Sequence, residues 1–378
     1  MIRVFSFSLW FIVLGIYQSS FGYPTGHTEA MMAGAGIALP ASPGNSLFNP
    51  AGLGFLNTNK LSVTVSGNAL EQQRVEFSGL NTSGSSTNLR PTLANTIFPV
   101  GNNYASFFVA APIISKIVQP SNFSLGGGTY DINSHLSMNV NALVGGISYS
   151  GLFNPDLAWG IVLGGIYINQ EVNSYYVIKN SSSLTTQYVQ SYTKYTQAAI
   201  FPGLLWKATD WYNLGITVSV ATPSILGSSE YYNSQTTSST PTTPNETTRS
   251  YDPSVTSHYE VGLGQLFKIQ NHSILLDGTY LSPQEQKNQD NETTKGHDKW
   301  SYAIGWRGPK NQRWMPLAGF SYTNNQNTET LLYTLGCSIS QRENEIVLGA
   351  YFQKDNAQEK NASAQETIGL VFSSQVFY

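Results

Sequence analysis

The stretch Leu331-Leu332-Tyr333-Thr334-Leu335-Gly336-Cys337-Ser338-Ile339-Ser340 decides the fold. Leu331, Tyr333, Leu335, Cys337 and Ile339 alternate with Leu332, Thr334, Gly336, Ser338 and Ser340. A period of two belongs to a β-strand with unlike faces. Here one face is apolar and the other mostly small or polar. The same pattern recurs at 213–220, where Leu214, Ile216, Val218 and Val220 share a face, and again at 136–142 and 61–68.

Working outward from these stretches, fourteen alternating segments can be placed. They lie near 60–68, 91–98, 103–112, 135–149, 157–171, 190–206, 212–221, 255–267, 272–281, 298–307, 313–323, 330–340, 345–354 and 365–378. Many exceed the five or six residues usual in soluble sheets. They fit the roughly 9–11 residues of a tilted membrane-crossing strand.

The connections sort by parity. Those after even-numbered strands are short: Pro99–Asn102, Ser150–Asp156, Lys207–Trp211, Lys268–Asn271, Gly308–Gln312 and Gln341–Asn344. Those after odd strands are mostly longer and polar, at 69–90, 113–134, 172–189, 222–254, 282–297 and 355–364, with 324–329 the exception. Outer-membrane barrels combine short periplasmic turns with longer external loops. Trp159, Trp206, Trp211, Trp306 and Trp314 gather beside the short turns, as an aromatic girdle at one bilayer face would. The expected fold is therefore all-β, a 14-stranded antiparallel transmembrane barrel spanning 60–378.

Composition narrows the function. The 378 residues carry 19 Lys+Arg and 22 Asp+Glu, so charged residues are 11 %, under half the share of an ordinary soluble domain. A net charge of −3 with no basic stripe argues against a nucleic-acid partner. No run of 18 apolar residues points to a membrane helix. The single Cys337 excludes an internal disulfide and sits among apolar residues as a small hydrophobe. The five histidines show no metal-ligand spacing, and neither a nucleophile elbow nor a phosphate loop occurs. We expect no catalytic residues, no metal and no cofactor.

Both ends carry export features. Residues 1–22 combine Arg3, an apolar Val4–Tyr17 core, and small Ser20 and Gly22 before Tyr23, the pattern of a cleaved signal peptide. At the other end Tyr378 follows Ile368, Leu370, Phe372 and Val376 on one face. This ending resembles the last strand of outer-membrane barrels, which the insertion machinery reads. The last strand must close on the first, since lipid tolerates no open sheet edge.

Residues 23–59 do not alternate. They include Gly34-Ala35-Gly36-Ile37-Ala38 and Phe48-Asn49-Pro50-Ala51-Gly52-Leu53. This segment resembles the N-terminal hatch of the FadL/TodX family of outer-membrane transporters for hydrophobic compounds. Arg90-Pro91-Thr92 to Phe98-Pro99-Val100-Gly101-Asn102 is similar to that family's second strand and turn, and the strand count agrees. A barrel of this width cannot be filled by wall side chains alone. A Gly/Ala-rich segment could plug it, with Phe48, Asn49, Pro50, Ala51, Gly52 and Leu53 as the hatch or gate.

The resemblance implies passive uptake in a bacterial outer membrane, with outer-membrane lipid around the barrel. A hydrophobic small molecule, such as a long-chain fatty acid, would be captured at the outer loops. It would leave sideways beside an irregular third strand, at Phe108, Ala110 and Pro112. Pro112 cannot donate to a ladder, so it marks either one rim of that opening or simply the strand's end. On the lumen side, His258, Glu260 and Asp277 supply rare charge, and Lys207 and Arg307 lie near the short turns. Two other readings stay open: a barrel of this fold that binds a protein partner in assembly or secretion, and a polar porin.

Overall fold

The structure is a computed structural model. It describes residues 24–57, 61–77, 80–86, 90–125, 130–180, 183–237, 244–287, 292–311, 313–325, 328–341, 344–357 and 364–377. The signal peptide at 1–22 and the terminal Tyr378 lie outside the described residues.

Fourteen antiparallel strands form a closed barrel. They are β1 Ser62–Phe77, β2 Arg90–Val100, β3 Asn103–Leu125, β4 Tyr130–Asn154, β5 Leu157–Asn180, β6 Leu184–Thr209 and β7 Tyr212–Ala221. Then follow β8 His258–Ile269, β9 His272–Leu281, β10 Lys299–Arg307, β11 Trp314–Asn325, β12 Thr328–Gln341, β13 Asn344–Ala357 and β14 Ala364–Phe377. Each pairs with its chain neighbour. The circle closes between β1 and β14, from Ser62 opposite Phe377 to Glu76 opposite Ala364. Among the described residues no helix is long and apolar enough to cross a membrane.

The alternation sorts side chains as the period requires. Phe107, Ile147, Leu163 and Leu335 are 51–67 % exposed on the outside, while Phe108, Ser148, Val162 and Thr334 are buried inside. A soluble sheet would have buried the first set. The apolar exterior is bounded by rings at both ends. Trp211, Trp306 and Trp314 lie by the short turns; Tyr259, Tyr280 and Trp300 lie at the other end, with the Tyr280 and Trp300 rings 4.7 Å apart. Along β9, from His272 beside Trp306 to Tyr280, a tilted strand rises about 20 Å, close to the ~25 Å apolar band of such barrels.

Several connections prove shorter than the sequence implies, because the strands continue through them. β4, β5 and β6 are 25, 24 and 26 residues long, against 10 and 9 for β9 and β10. Positions 113–125 and 172–180 are therefore strand, not loop. The long 222–254 connection contains a hairpin, Leu226–Thr237 with Asn245–Tyr251, whose first strand continues up the edge of β6. A smaller hairpin joins Glu285–Lys287 to Thr293–Lys295, and Leu80–Ser86 folds back on β1. One wall, β3 to β6, thus stands far above the opposite rim.

Pro112 does not end the third strand. β3 runs on to Leu125, and its register against β4 shifts between Ala110 and Ile113. The missing N–H of Pro112 is accommodated in an irregular step of the ladder, where an unpaired residue costs least.

Candidate functional site

Residues 24–57 lie within the barrel, almost wholly buried. Gly and Pro are too frequent for a helix of normal length, so the chain makes three short 3-10 turns: Glu29–Met32, Pro43–Ser46 and Pro50–Phe55. The second and third begin with proline, whose fixed φ suits a first helical position. Glu29–Met32 packs against β10 to β13, and Pro50–Phe55 against β4 to β6. The segment therefore crosses the bore.

Asn49 organises the third turn. Its Oδ1 accepts from the Ala51 amide at 3.1 Å, an N-cap bond. Its Nδ2 donates to the Ile37 carbonyl at 2.8 Å and to the Leu204 carbonyl of β6 at 3.0 Å. One buried carboxamide thus ties two parts of the segment to the wall. Other pins come from around the circle. Asn95 of β2 donates to the Pro43 carbonyl at 2.7 Å, and Ser46 and Ser106 hydroxyls meet at 2.8 Å. Thr334 of β12 donates to the Met31 carbonyl at 2.9 Å. His27 Nδ1 lies 2.6 Å from Ser373 of β14, and its Nε2 3.4 Å from Glu345 of β13.

Close docking depends on lumen-facing glycines. A Cβ at Gly160 would stand 2.3 Å from the Pro50 carbonyl carbon and 2.5 Å from the Ala51 nitrogen. One at Gly203 would stand 2.1 Å from Asn49 Oδ1. No side chain fits there while the segment is seated.

Asp277 of β9 holds the opposite side. One oxygen, Oδ2, accepts from the amides of Gly36 and Ile37 at 2.6 and 2.9 Å. Two N–H groups that the tight turn cannot pair internally are thereby satisfied. Replacing Asp277 by alanine strands both amides and should weaken this attachment by about 3 kcal/mol. The expected readout is faster amide exchange at Gly36 and Ile37 with the β9 ladder still protected. Unchanged exchange at both positions would show that Asp277 does not hold the segment.

Above the segment is a cavity of about 230 Å³ with two unlike sides. Ile37, Leu47, Val144, Ile166 and Phe201 form an apolar half. Thr217, Ser219, His258, Glu260, Thr279 and Ser301 form a polar one, with Asp277 at its edge. Neither lysine nor arginine is among the lining residues. The expected lumen charges His258, Glu260 and Asp277 do meet here. Lys207 does not: its ammonium lies over the Phe55 ring, 3.7 Å from the centroid, near the short turns.

The β2–β3 ladder is short, running from Val100 opposite Asn103 to Leu93 opposite Ala110. Its last paired residues are Leu93 and Ala110; among the described residues no ladder pair joins these strands beyond that point. Phe108 and Ala110 point inward and are buried, 4 % and 1 % exposed. They form one apolar cluster with Leu93, Val144 and Val162, against which Leu47, Ile166 and Phe201 pack. Four members of that group, Leu47, Val144, Ile166 and Phe201, also line the cavity. An apolar track therefore runs from the cavity to the end of the β2–β3 ladder. Among the described residues no group of three His, Cys, Asp or Glu could hold a metal.

The structure brings Phe48 to the cavity and Asn49–Leu53 against the wall, while Phe108, Ala110 and Pro112 stand at the seam. Asp277 as the carboxylate anchoring Gly36 and Ile37 is not legible in the sequence. Its one signal is an acid on the lumen face of an apolar strand, which costs free energy unless partnered.

No family model matches the chain, and no curated protein sequence matches it. Solved structures do. The Pseudomonas putida toluene transporter TodX superposes with a TM-score of 0.67 at 13 % identity, over 95 % of this chain and 99 % of that one. The Ralstonia pickettii toluene transporter TbuX gives 0.66 at 12 %, over 94 % and 99 %. A Pseudomonas aeruginosa FadL homologue gives 0.63 at 13 %, over 94 % and 98 %. At such identities the likeness is one of fold.

Proposed function

We propose, from the FadL/TodX barrel fold that this chain has, that it is a passive outer-membrane channel for hydrophobic compounds. The observation that carries the reading is the apolar track from the cavity, through Leu47, Val144, Ile166 and Phe201, to Phe108 and Ala110 at the end of the β2–β3 ladder. A polar solute gains nothing along such a path. An apolar one is moved from water into contacts worth about 25 cal/mol per Å² of buried surface.

In this proposal residues 24–57 are the hatch, with Phe48 to Leu53 as its gate element. They close the bore toward the short turns, so the ligand leaves sideways into the bilayer. Ala110 and Pro112 frame the exit, where the β2–β3 ladder ends and Pro112 offers no N–H. Fold neighbours named as toluene transporters support hydrophobic cargo of this kind.

Cavity chemistry sharpens the substrate class. An apolar cavity of ~150 Å³ takes up benzene. This cavity, at about 230 Å³, suits a compact molecule of that order. Glu260 and Asp277 line it and the buried Lys299 ammonium acts on Glu260, so size rather than charge sets the preference. A compact hydrophobe is the preferred cargo, ahead of the long-chain fatty acid that the sequence suggested.

The test is uptake by vesicles carrying the full chain, comparing toluene, a long-chain fatty acid and a sugar of similar mass. Toluene should enter fastest and the sugar should not enter. Free passage of the sugar would establish a porin. Entry of none would favour a partner-binding barrel. Filling the exit with Ala110→Trp should lower toluene uptake about tenfold while leaving binding in the cavity intact. Unchanged uptake in that variant would rule out exit at this seam.

A further inference from the structure

The tall wall has two faces of opposite character. Its inner face is covered: Val140, Gln170, Val172, Ser174, Thr193, Tyr195 and Ser229 are all buried. Its outer face continues the lipid-facing parity of Leu143, Tyr167 and Ile200, but its chemistry changes abruptly. Above Leu143 come Asn141 and Asn139; above Tyr167 come Asn169, Glu171 and Asn173; above Ile200 come Lys194, Tyr192 and Gln190. No large aliphatic residue interrupts these stretches.

Within this polar panel the tyrosines are grouped. Tyr175 and Tyr188 are direct cross-strand partners. The Tyr188 and Tyr232 rings stand 6.0 Å apart, and the Tyr188 hydroxyl donates to Asn173 Oδ1 at 3.3 Å. The surrounding carboxamides are held in fixed orientation. Asn141 donates to Asn139 at 3.3 Å and Asn173 to Glu171 at 2.9 Å.

Height distinguishes this group from an interfacial belt. Tyr175 lies eight residues beyond Tyr167 on the same face of β5. At ~3.3 Å per residue and a tilt near 40°, that is about 20 Å above the apolar boundary. The headgroup layer adds only about 5–8 Å per side of the hydrocarbon. The row Tyr175–Tyr188–Tyr232 thus stands beyond the headgroups, facing sideways from the barrel.

We propose that this panel binds the saccharide of the glycolipid surrounding the barrel in the outer leaflet. A sugar ring has an apolar C–H face and a rim of hydroxyls. Tyrosine supplies an apolar body with a polar tip, and a carboxamide both donates and accepts. Glu171 and Glu230 balance Lys179 and Lys194, which leaves the panel without a concentration of positive charge, so it fits uncharged sugar units rather than phosphate groups. Its position commits it to the neighbouring glycolipid: it rises directly from the lipid-facing band and turns its back on the lumen.

The test uses the full chain in detergent micelles. It is titrated with lipopolysaccharide, with the delipidated saccharide, and with lipid A lacking the saccharide. Lipopolysaccharide and free saccharide should bind saturably, and lipid A should not. The pair Tyr188→Ala with Tyr232→Ala should weaken saccharide binding by about tenfold or more. Tyr175→Ala, at an exposed ring, is the second variant and should weaken it severalfold without risk to packing. Uptake of hydrophobic compound by each variant should match the parent, which shows the barrel intact. Equal binding of lipid A, or unchanged saccharide affinity in the Tyr175 variant and the double variant, would overturn the proposal.

Discussion

Gly160→Val is expected to turn a sealed barrel into a leaky one. The new Cβ would overlap backbone atoms of Pro50 and Ala51 at 2.3–2.7 Å, and backbone there cannot swing aside. Valine suits a strand better than glycine, so the wall itself should not suffer. The segment must leave its seat instead. Gly203→Val, which meets Asn49 Oδ1 at 2.1 Å, should act in the same way. Liposomes carrying either variant should admit a hydrophilic sugar at least about tenfold faster than the parent, since a bore this wide conducts water once unfilled. Gly278→Val is the control, because its Cβ would meet only the Tyr302 ring at 3.8 Å. Equal sugar entry in all three variants would show that residues 24–57 do not seal the bore.

Asn49→Ala is the second large effect. It leaves the Ala51 amide and the Ile37 and Leu204 carbonyls without the partners described above. The loss of an N-cap and two buried hydrogen bonds should cost about 3 kcal/mol. That corresponds to roughly a hundredfold rise in the population of the unseated segment. Amide exchange across 36–56 should accelerate by that factor, while the ladders of β1 to β14 keep their protection. Asn49→Asp retains the acceptor but cannot donate to either carbonyl, so it should rescue the cap alone. If Asn49→Ala exchanges like the parent, the carboxamide is not what holds the turn.

The barrel was legible in the sequence because lipid enforces the period. Leu335 and Thr334 differ in kind since one meets hydrocarbon and the other the Met31 carbonyl. Where the lipid ends, that enforcement ends. Residues 172–180 read as loop because neither face of the strand need be apolar there, while the ladder bonds that make them strand are indifferent to side chain. Pro112 illustrates a related difficulty: proline can end a strand or sit in a register step, and only the pairing of Ile113 with Ala142 decides. The N-terminal segment could be recognised by motif, but its seat could not. Gly160 and Gly203 look like any small lumen residues, and Asp277 like a stray charge, until the chain that crosses the bore is set beside them.

The pins of residues 24–57 also have an order in time. Asn95 and Ser106 lie on β2 and β3, which are synthesised early; Thr334 and Ser373 lie on β12 and β14, which come last. The contact between His27 and Ser373 spans 346 positions of chain, more than any pairing across the β1–β14 seam. Long closures are the slow steps of folding. A cylinder that zipped shut empty would have to admit 34 residues end-on past its own wall. A half-built sheet curling round the segment meets no such obstacle. The segment is then the mandrel on which the cylinder is rolled, and its attachment to the final strand is the last act of assembly.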